Sequence, residues 1–271
     1  MALFQVSVLK KYLKLQDDQV VDKAYKKFTS YFQHPEIQEN IRKSKEEQFQ
    51  ATFLNELFVK ILGYTLNPNP SYKLSTEFKN ESNNRKADGA ILKEGTAVGV
   101  IELKGTNTKH LEGIRQQAFD YKATQKRCVY VITSNFEKLR FYIQDATEFL
   151  EFDLFELNRE DFGLLWLCLH MENVLNGLPL KIKEESLGEE EEITKEFYKD
   201  YSLFKRELFR DLVQRNVERL KDGPPGYESD AHVSKDQHRH PELDSGSQVD
   251  TEAKERHPEL VSGSQDETKA Q

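Results

Sequence analysis

The sequence has little cysteine and no long apolar run, and each shortage excludes a class of protein. Its two cysteines, Cys128 and Cys168, lie far apart in apolar stretches, which excludes a disulfide framework and indicates a reducing compartment. No stretch reaches the roughly 18 apolar residues of a membrane span, and the first residues lack the basic and apolar segments of a secretory signal. We therefore expect a soluble, cytoplasmic protein with no membrane partner.

The sequence also lacks an excess of positive charge, since the formal net charge of its 271 residues is −8. Residues 1–222 contain 36 acids and 34 bases, whereas residues 223–271 contain 11 acids and 5 bases. The acidity therefore belongs mainly to the C-terminal segment. The nearly neutral remainder has no strong general attraction to nucleic acid.

The apolar periodicity predicts an α/β fold, in which a mixed β-sheet is flanked by helices. The i, i+3, i+4 spacing of apolar residues predicts helices at 4–33, 44–62 and 109–125. Short apolar runs rich in β-branched residues predict strands at 90–92, 97–103, 128–133 and 139–143. Between these groups, residues 65–86 are predicted to form a polar loop, and Gly63 is suited to end the helix before it.

The chain is expected to divide into three regions: the α/β domain at 1–157, a helical connector at 158–222 and a disordered tail at 223–271. Two helices are predicted in the connector, at 158–176 and 193–220, and the four glutamates at 189–192 are predicted to form a solvated linker or the start of the second helix. The tail has no apolar periodicity. Its residues 239–248 recur at 256–265 with a single difference, and two copies are too few for a repeat fold.

Charged residues at the ends of two predicted strands form the main functional candidate. Asp88 precedes the first apolar run, and Glu102-Leu103-Lys104 ends the next. Because alternate side chains of a strand point to the same face, Glu102 and Lys104 share a face while Leu103 turns into the core. Two acids and a lysine at one sheet edge predict a metal site with a base or electrophile beside it, although an exposed ion pair at a strand end is a simpler explanation of Glu102 and Lys104 alone.

The order of these residues resembles that of the PD-(D/E)XK nuclease superfamily. Ala87-Asp88 stands where the family has Pro-Asp, and Glu102-Leu103-Lys104 matches the ExK element. The following helix carries Gln117 and Tyr121, which match the Gln-xxx-Tyr element of the RecB-like and restriction-enzyme branches. The resemblance implies a restriction-endonuclease-like fold and Mg²⁺-dependent hydrolysis of DNA.

Each matching residue receives a role from this resemblance. Asp88, Glu102 and the carbonyl of Leu103 would hold Mg²⁺, for which Mn²⁺ could substitute. Lys104 would orient or deprotonate the attacking water or stabilise the developing charge. Glu47 would support the metal or the lysine from the preceding helix, with Glu46 as the second choice and Glu56 as a weaker one. Gln117 and Tyr121, one turn apart, would hold a phosphate or the lysine.

A second resemblance covers residues 1–220. The segments Glu47-Gln48-Phe49, Ile61-Leu62-Gly63-Tyr64 and Phe197-Tyr198-Lys199-Asp200-Tyr201 are similar to the N-terminal part of Type IIG restriction enzymes. Those enzymes join an endonuclease to an adenine methyltransferase. The chain lacks the methyltransferase motifs, so we expect no AdoMet site and no methylation, and we interpret it as an apparently truncated restriction module.

The expected partner is double-stranded DNA. Because cleavage of both strands usually needs two active centres, we also expect a transient homodimer on DNA, and a separate methyltransferase or specificity polypeptide is a further candidate partner. Two alternatives stay open. The chain could be a catalytically silent nuclease-fold remnant or DNA-binding subunit, or it could be a RecB-like repair nuclease.

Overall fold

The computed structural model describes residues 3–79 and 86–221. The helices are α1 (Val6–Leu13), α2 (Asp18–Phe32), α3 (Pro35–Lys43), α4 (Glu46–Phe53), a π-helix (Leu54–Ile61), α5 (Glu112–Ala123), α6 (Arg159–Leu169), α7 (Met171–Leu175) and α8 (Leu178–Lys221). The strands are β1 (Leu74–Lys79), β2 (Lys86–Lys93), β3 (Thr96–Leu103), β4 (Tyr130–Ser134), β5 (Lys138–Ile143) and β6 (Phe149–Asp153). The predicted disordered tail and its repeat lie outside the described residues.

The first predicted helix is in fact two helices. The side chain of Asp17 accepts hydrogen bonds from the backbone N–H groups of Gln19 and Val20, so it caps the start of α2 and interrupts the helix expected at 4–33. Pro35 follows the end of α2 and occupies the first turn of α3. Its missing N–H costs nothing there, because the first N–H groups of a helix have no partner within the helix. The apolar spacing therefore predicted the helical residues correctly, but the capping residue Asp17, which separates the two helices, was overlooked.

The helix predicted at 44–62 forms as α4 and continues directly into the π-helix. Its last turn is closed by the N–H of Leu62, which donates to the carbonyl of Leu57. Gly63 then has φ +81°, the left-handed conformation that glycine adopts at a helix end. The predicted cap at Gly63 is confirmed, and the two helices place the acids of the first turn of α4 at the end of β3.

The six strands form one open sheet in the order β1-β2-β3-β4-β5-β6. Only β3 and β4 are parallel, and α5 makes the crossover between them, whereas the other neighbours are antiparallel. This mixed sheet confirms the predicted α/β class. The edge strands β1 and β6 were not predicted: β1 lies in the segment interpreted as a polar loop, and β6 has only five residues.

The two faces of the sheet have different coverings. On one face, the large apolar core joins Ile101 of β3 and Ile132 of β4 to Phe53 of α4 and Phe162 of α6. On the other face, a smaller cluster joins Val100 and Val131 to Ala118 and Tyr121 of α5. The candidate residues at the end of β3 therefore lie under α5 and next to the start of α4.

The C-terminal helices differ from the prediction. The segment 158–176 is divided into α6 and α7, and the expected break around residues 189–192 is absent, because α8 runs without interruption through the four glutamates. Glutamate is a good helix former, so an acidic run does not need to be a linker. Among the described residues, one compact unit of the backbone extends to Leu212, and residues 213–221 belong to another. The expected three-region division stays a prediction.

Both cysteines are buried and free, in agreement with the prediction from sequence. Among residues 3–79 and 86–221, no helix combines the length and the apolar character needed to cross a membrane.

Candidate active site

Asp88 and Glu102 lie side by side on neighbouring strands. They directly flank the paired residues Gly89 of β2 and Ile101 of β3, so the antiparallel register brings their carboxylates to the same place. Asp88 accepts a hydrogen bond of 2.7 Å at Oδ2 from the backbone N–H of Leu103. Glu102 is only 2 % exposed. The two acids expected to meet at the sheet edge therefore do meet.

Lys104 follows the last residue of β3 and turns back over the acids. Its Nζ atom donates to Glu102 Oε1 and to the carbonyl of Leu103, each at 3.0 Å, and to Glu46 Oε1 at 3.3 Å. Its backbone N–H donates to the carbonyl of Ser134 on β4, which fixes the chain at this point. The ammonium is thus held among three oxygens, and its side chain remains 26 % exposed.

The helix acid of the site is Glu46, where Glu47 was expected. Glu46 pairs with Lys104 and accepts at Oε2 from the backbone N–H of Gly105 at 3.3 Å. Glu47 is exposed, because the first turn of α4 presents its neighbour to the end of β3. Glu56 lies elsewhere, paired with Lys60 on the π-helix. The sequence placed both Glu46 and Glu47 on one arc, and tertiary packing selects between them.

Gln117 and Tyr121 approach the site from α5. The Nε2 atom of Gln117 donates to Glu102 Oε1 at 2.5 Å and lies 3.5 Å from the Tyr121 hydroxyl. Tyr121 is 5 % exposed and packs in the smaller core cluster. In this structure Gln117 therefore holds the Glu102 carboxylate and Tyr121 lies beside Gln117, whereas one of the predicted roles was to hold Lys104.

Sequence reasoning missed one residue of this cluster, Gln50. It lies one helical turn after Glu46, donates to Glu46 Oε1 at 3.3 Å and favours the charged form of the nearby Asp88. The signal that could have found it is this i, i+4 spacing from an acid already under consideration.

The electrostatics of the cluster favour an additional cation. Burial and the neighbouring Asp88 carboxylate raise the pKa of Glu102 to about 7, against the attraction of Lys104. Burial also raises the pKa of Asp88, although the Leu103 N–H and Lys104 favour its charged form. Burial lowers the pKa of Lys104, but the attraction of Glu102 and Glu46 outweighs it, so that pKa is raised overall. One ammonium therefore faces three carboxyl groups.

Oxygen atoms of three neighbouring residues could hold Mg²⁺. Glu102 Oε2 is buried without a hydrogen-bond partner, Asp88 lies next to Glu102 on the paired strand, and the Leu103 carbonyl accepts from Lys104. Within residues 3–79 and 86–221, no three His, Cys, Asp or Glu side chains form a group that could hold a metal ion by themselves. Two carboxylates and a carbonyl would suffice for Mg²⁺, because it keeps several of its waters.

Comparison with known proteins gives one family and one solved structure. The family model described as "MmeI, N-terminal domain" matches residues 33–175, which is more than half of the chain and includes the whole cluster. A chain of the "cryoEM structure DrdV-DNA complex" is similar at 18 % identity and a TM-score of 0.36, over 58 % of this chain and 14 % of that one. No curated protein matches the sequence.

Proposed function

Because the chain belongs to the family of MmeI N-terminal domains, we propose that it is a Mg²⁺-dependent DNA endonuclease module of the PD-(D/E)XK type, the restriction part of a Type IIG enzyme. The observation that carries the proposal is the cluster in which Asp88 and Glu102 adjoin while Lys104 lies 3.0 Å from Glu102 Oε1. An exposed ion pair would not need a buried glutamate with an unpartnered oxygen. A metal-binding role accounts for that oxygen.

The residues divide the chemistry among themselves. Asp88, Glu102 and the Leu103 carbonyl would hold Mg²⁺, or Mn²⁺ in its place. When bound, the ion supplies positive charge against the phosphodiester and an acidified water. Lys104 would donate to the phosphate or orient the attacking water, since its partly exposed ammonium already faces the acids.

The remaining residues would keep these groups in position. Glu46 holds Lys104 from the start of α4, and we propose that it takes the role expected of Glu47. Gln117 fixes Glu102 through Oε1, and its own amide lies next to the Tyr121 hydroxyl. Oriented carboxylates and a fixed lysine reduce the reorganisation that cleavage requires.

The proposed partner is double-stranded DNA, on which two copies of the chain would pair, one for each strand. We also propose a separate methyltransferase or specificity polypeptide as a partner. Residues 193–212 of α8 support this, because they expose an unusually continuous set of large apolar side chains: Ile193, Phe197, Tyr198, Tyr201, Leu203, Phe204, Leu208, Phe209 and Leu212.

A plasmid assay tests the catalytic proposal. With supercoiled DNA and Mg²⁺, the wild-type protein is expected to give linear product, and Asp88→Asn and Lys104→Met are expected to lower the cleavage rate by at least about 100-fold. The exposed acid Glu160, at the start of α6, provides the matched control Glu160→Gln, which should cut like the wild type.

Two results would contradict parts of the proposal. Cleavage that persists in both site variants, or that is absent from the wild type at high concentration, means that the cluster does not cut DNA. In the second case a catalytically silent nuclease-fold protein becomes the better interpretation. A product that stops at the nicked circle would contradict the pairing of two copies on DNA.

A further inference from the structure

Two buried oxygen atoms next to the candidate site have no hydrogen-bond partner: Oε2 of Glu102 and Oγ1 of Thr133. Thr133 is fully buried on β4, and the parallel register places it directly opposite Glu102 on β3. Glu102 is therefore flanked by Asp88 on one neighbouring strand and by Thr133 on the other. Thr133 was not among the site residues predicted from the sequence.

A buried oxygen without a partner is costly, and more so when it belongs to a charged group. The two atoms lie on opposite residues of adjacent strands and are chemically complementary, because the Thr133 hydroxyl can donate a hydrogen bond and the Glu102 carboxylate can accept one. The two atoms do not form a direct hydrogen bond, and one water molecule between them would give each a polar partner.

A third oxygen lies beside this pair. The hydroxyl of Tyr142 on β5 approaches Thr133 without meeting hydrogen-bond geometry. Tyr142 pairs with Val131, two residues before Thr133, so its side chain shares the same face of the sheet. The water would therefore have the Tyr142 hydroxyl as a further partner, and buried waters typically make about three hydrogen bonds.

We propose that Thr133 is a positioning residue for Glu102, acting through one buried water between Thr133 Oγ1 and Glu102 Oε2. This inference rests on the proposed function for its consequence, because Glu102 would be a metal ligand. Gln117 and Lys104 hold one carboxylate oxygen, Oε1, and the water held by Thr133 orients the other. Each carboxylate oxygen has two lone pairs, so Oε2 can accept from the water and still face a metal.

Hydrogen bonds to a ligating carboxylate fix its orientation, and their loss typically weakens metal binding by 10- to 100-fold. Thr133→Val keeps the shape of the side chain and removes the hydroxyl. We expect it to weaken Mn²⁺ binding at least about tenfold in calorimetric titrations without DNA. Thr133→Ser restores the hydroxyl and should bind within about threefold of the wild type.

Two further measurements separate positioning from a structural role. In the plasmid assay, Thr133→Val should need more Mg²⁺ for half-maximal cleavage, while its thermal unfolding midpoint falls by no more than about 4 °C, the loss expected for one hydrogen bond. Thr96→Val, at the other end of β3, is the control for a threonine-to-valine change and should alter neither property.

The outcomes are distinguishable. A wild type that binds metal and cuts DNA, together with a Thr133→Val variant of equal metal affinity, overturns the positioning role and leaves the proposed function intact. A wild type that binds no metal overturns both. A high-resolution crystal structure of the metal-free protein gives an independent check, because density for a water between the two oxygens supports the proposal, and a dry gap overturns it.

Discussion

The end of β3 and residues 193–212 of α8 depart from ordinary burial in opposite directions. At the end of β3, Glu102 is 2 % exposed, whereas on α8 Phe197 and Phe204 are 63 % and 61 % exposed. If stability alone decided, the aromatic rings of α8 would be buried and the Glu102 carboxylate would be solvated. The burial of Glu102 and the exposure of the α8 aromatic rings are therefore not explained by the stability of this chain. Each is to be understood from what the region contacts.

The two regions also differ in how strongly the effect of one substitution depends on neighbouring residues. Glu102 is fixed by Lys104 and Gln117 at one oxygen, so any change there alters several contacts at once. The exposed residues of α8 after Leu187 have few such constraints, and substitutions there act nearly independently. The predictions below test this contrast, beginning with the largest expected effect.

The first prediction compares two phenylalanines. Phe53 is fully buried, with ring centroids 6.1 Å from Phe32 and 5.3 Å from Phe136. Phe53→Ala should lower the free energy of unfolding by about 3–5 kcal/mol, because it leaves a cavity in the main core. Phe204→Ala on α8 should change it by less than about 0.5 kcal/mol. Urea unfolding followed by circular dichroism measures both, and equal losses would show that the α8 surface is buried in solution.

The second prediction concerns pH. Burial and Asp88 raise the pKa of Glu102 to about 7 in the folded protein, above roughly 4.3 in an unfolded chain. Between these two values the folded state binds more protons, so the stability contribution of Glu102 is fully present below pH 4 and is lost as the pH rises through 7. Glu102→Gln should remove this loss, worth on the order of 2 kcal/mol between pH 5 and pH 8.

The measurement is urea unfolding of the metal-free protein at several pH values in EDTA. Glu196→Gln is the matched change in the exposed part of α8 and should leave the free energy of unfolding within about 0.5 kcal/mol of the wild type. If Glu102→Gln follows the same pH dependence as the wild type, Glu102 is not held in the surroundings described above.

These contrasts show which parts of the molecule a sequence can predict. The strands β3 and β4 are continuous apolar runs, and Asp88 and Glu102 lie on the two paired strands of one hairpin, so local spacing was sufficient to bring them together. The choice between Glu46 and Glu47 was not local. Both lie on one arc of α4, and the contact of Glu46 with Gly105 exists only in the folded chain.

Thr133 could not be found for a similar reason. Its importance depends on the register between β3 and β4, two parallel strands separated in sequence by a helix. The sequence also gave no reason to continue α8 through four glutamates, because charge repulsion and good helix propensity act against each other there. Helix continuity was therefore decided by a balance of small terms.

The third prediction compares two ion pairs and has the smallest effect. Glu191 and Lys195 pair at 3.6 Å on α8 with side chains that are 74 % and 76 % exposed, whereas Lys104 and Glu102 pair at 3.0 Å with side chains that are 26 % and 2 % exposed. A double-mutant cycle with Glu191→Gln and Lys195→Met should give a coupling energy of about 0.3–0.5 kcal/mol, which 0.5 M salt largely removes. The same cycle with Glu102→Gln and Lys104→Met should give a larger energy that salt reduces little, because water and ions reach the pair poorly. Equal salt sensitivity of the two pairs would mean that the end of β3 is as solvated as α8, and the contrast between the regions would then fail.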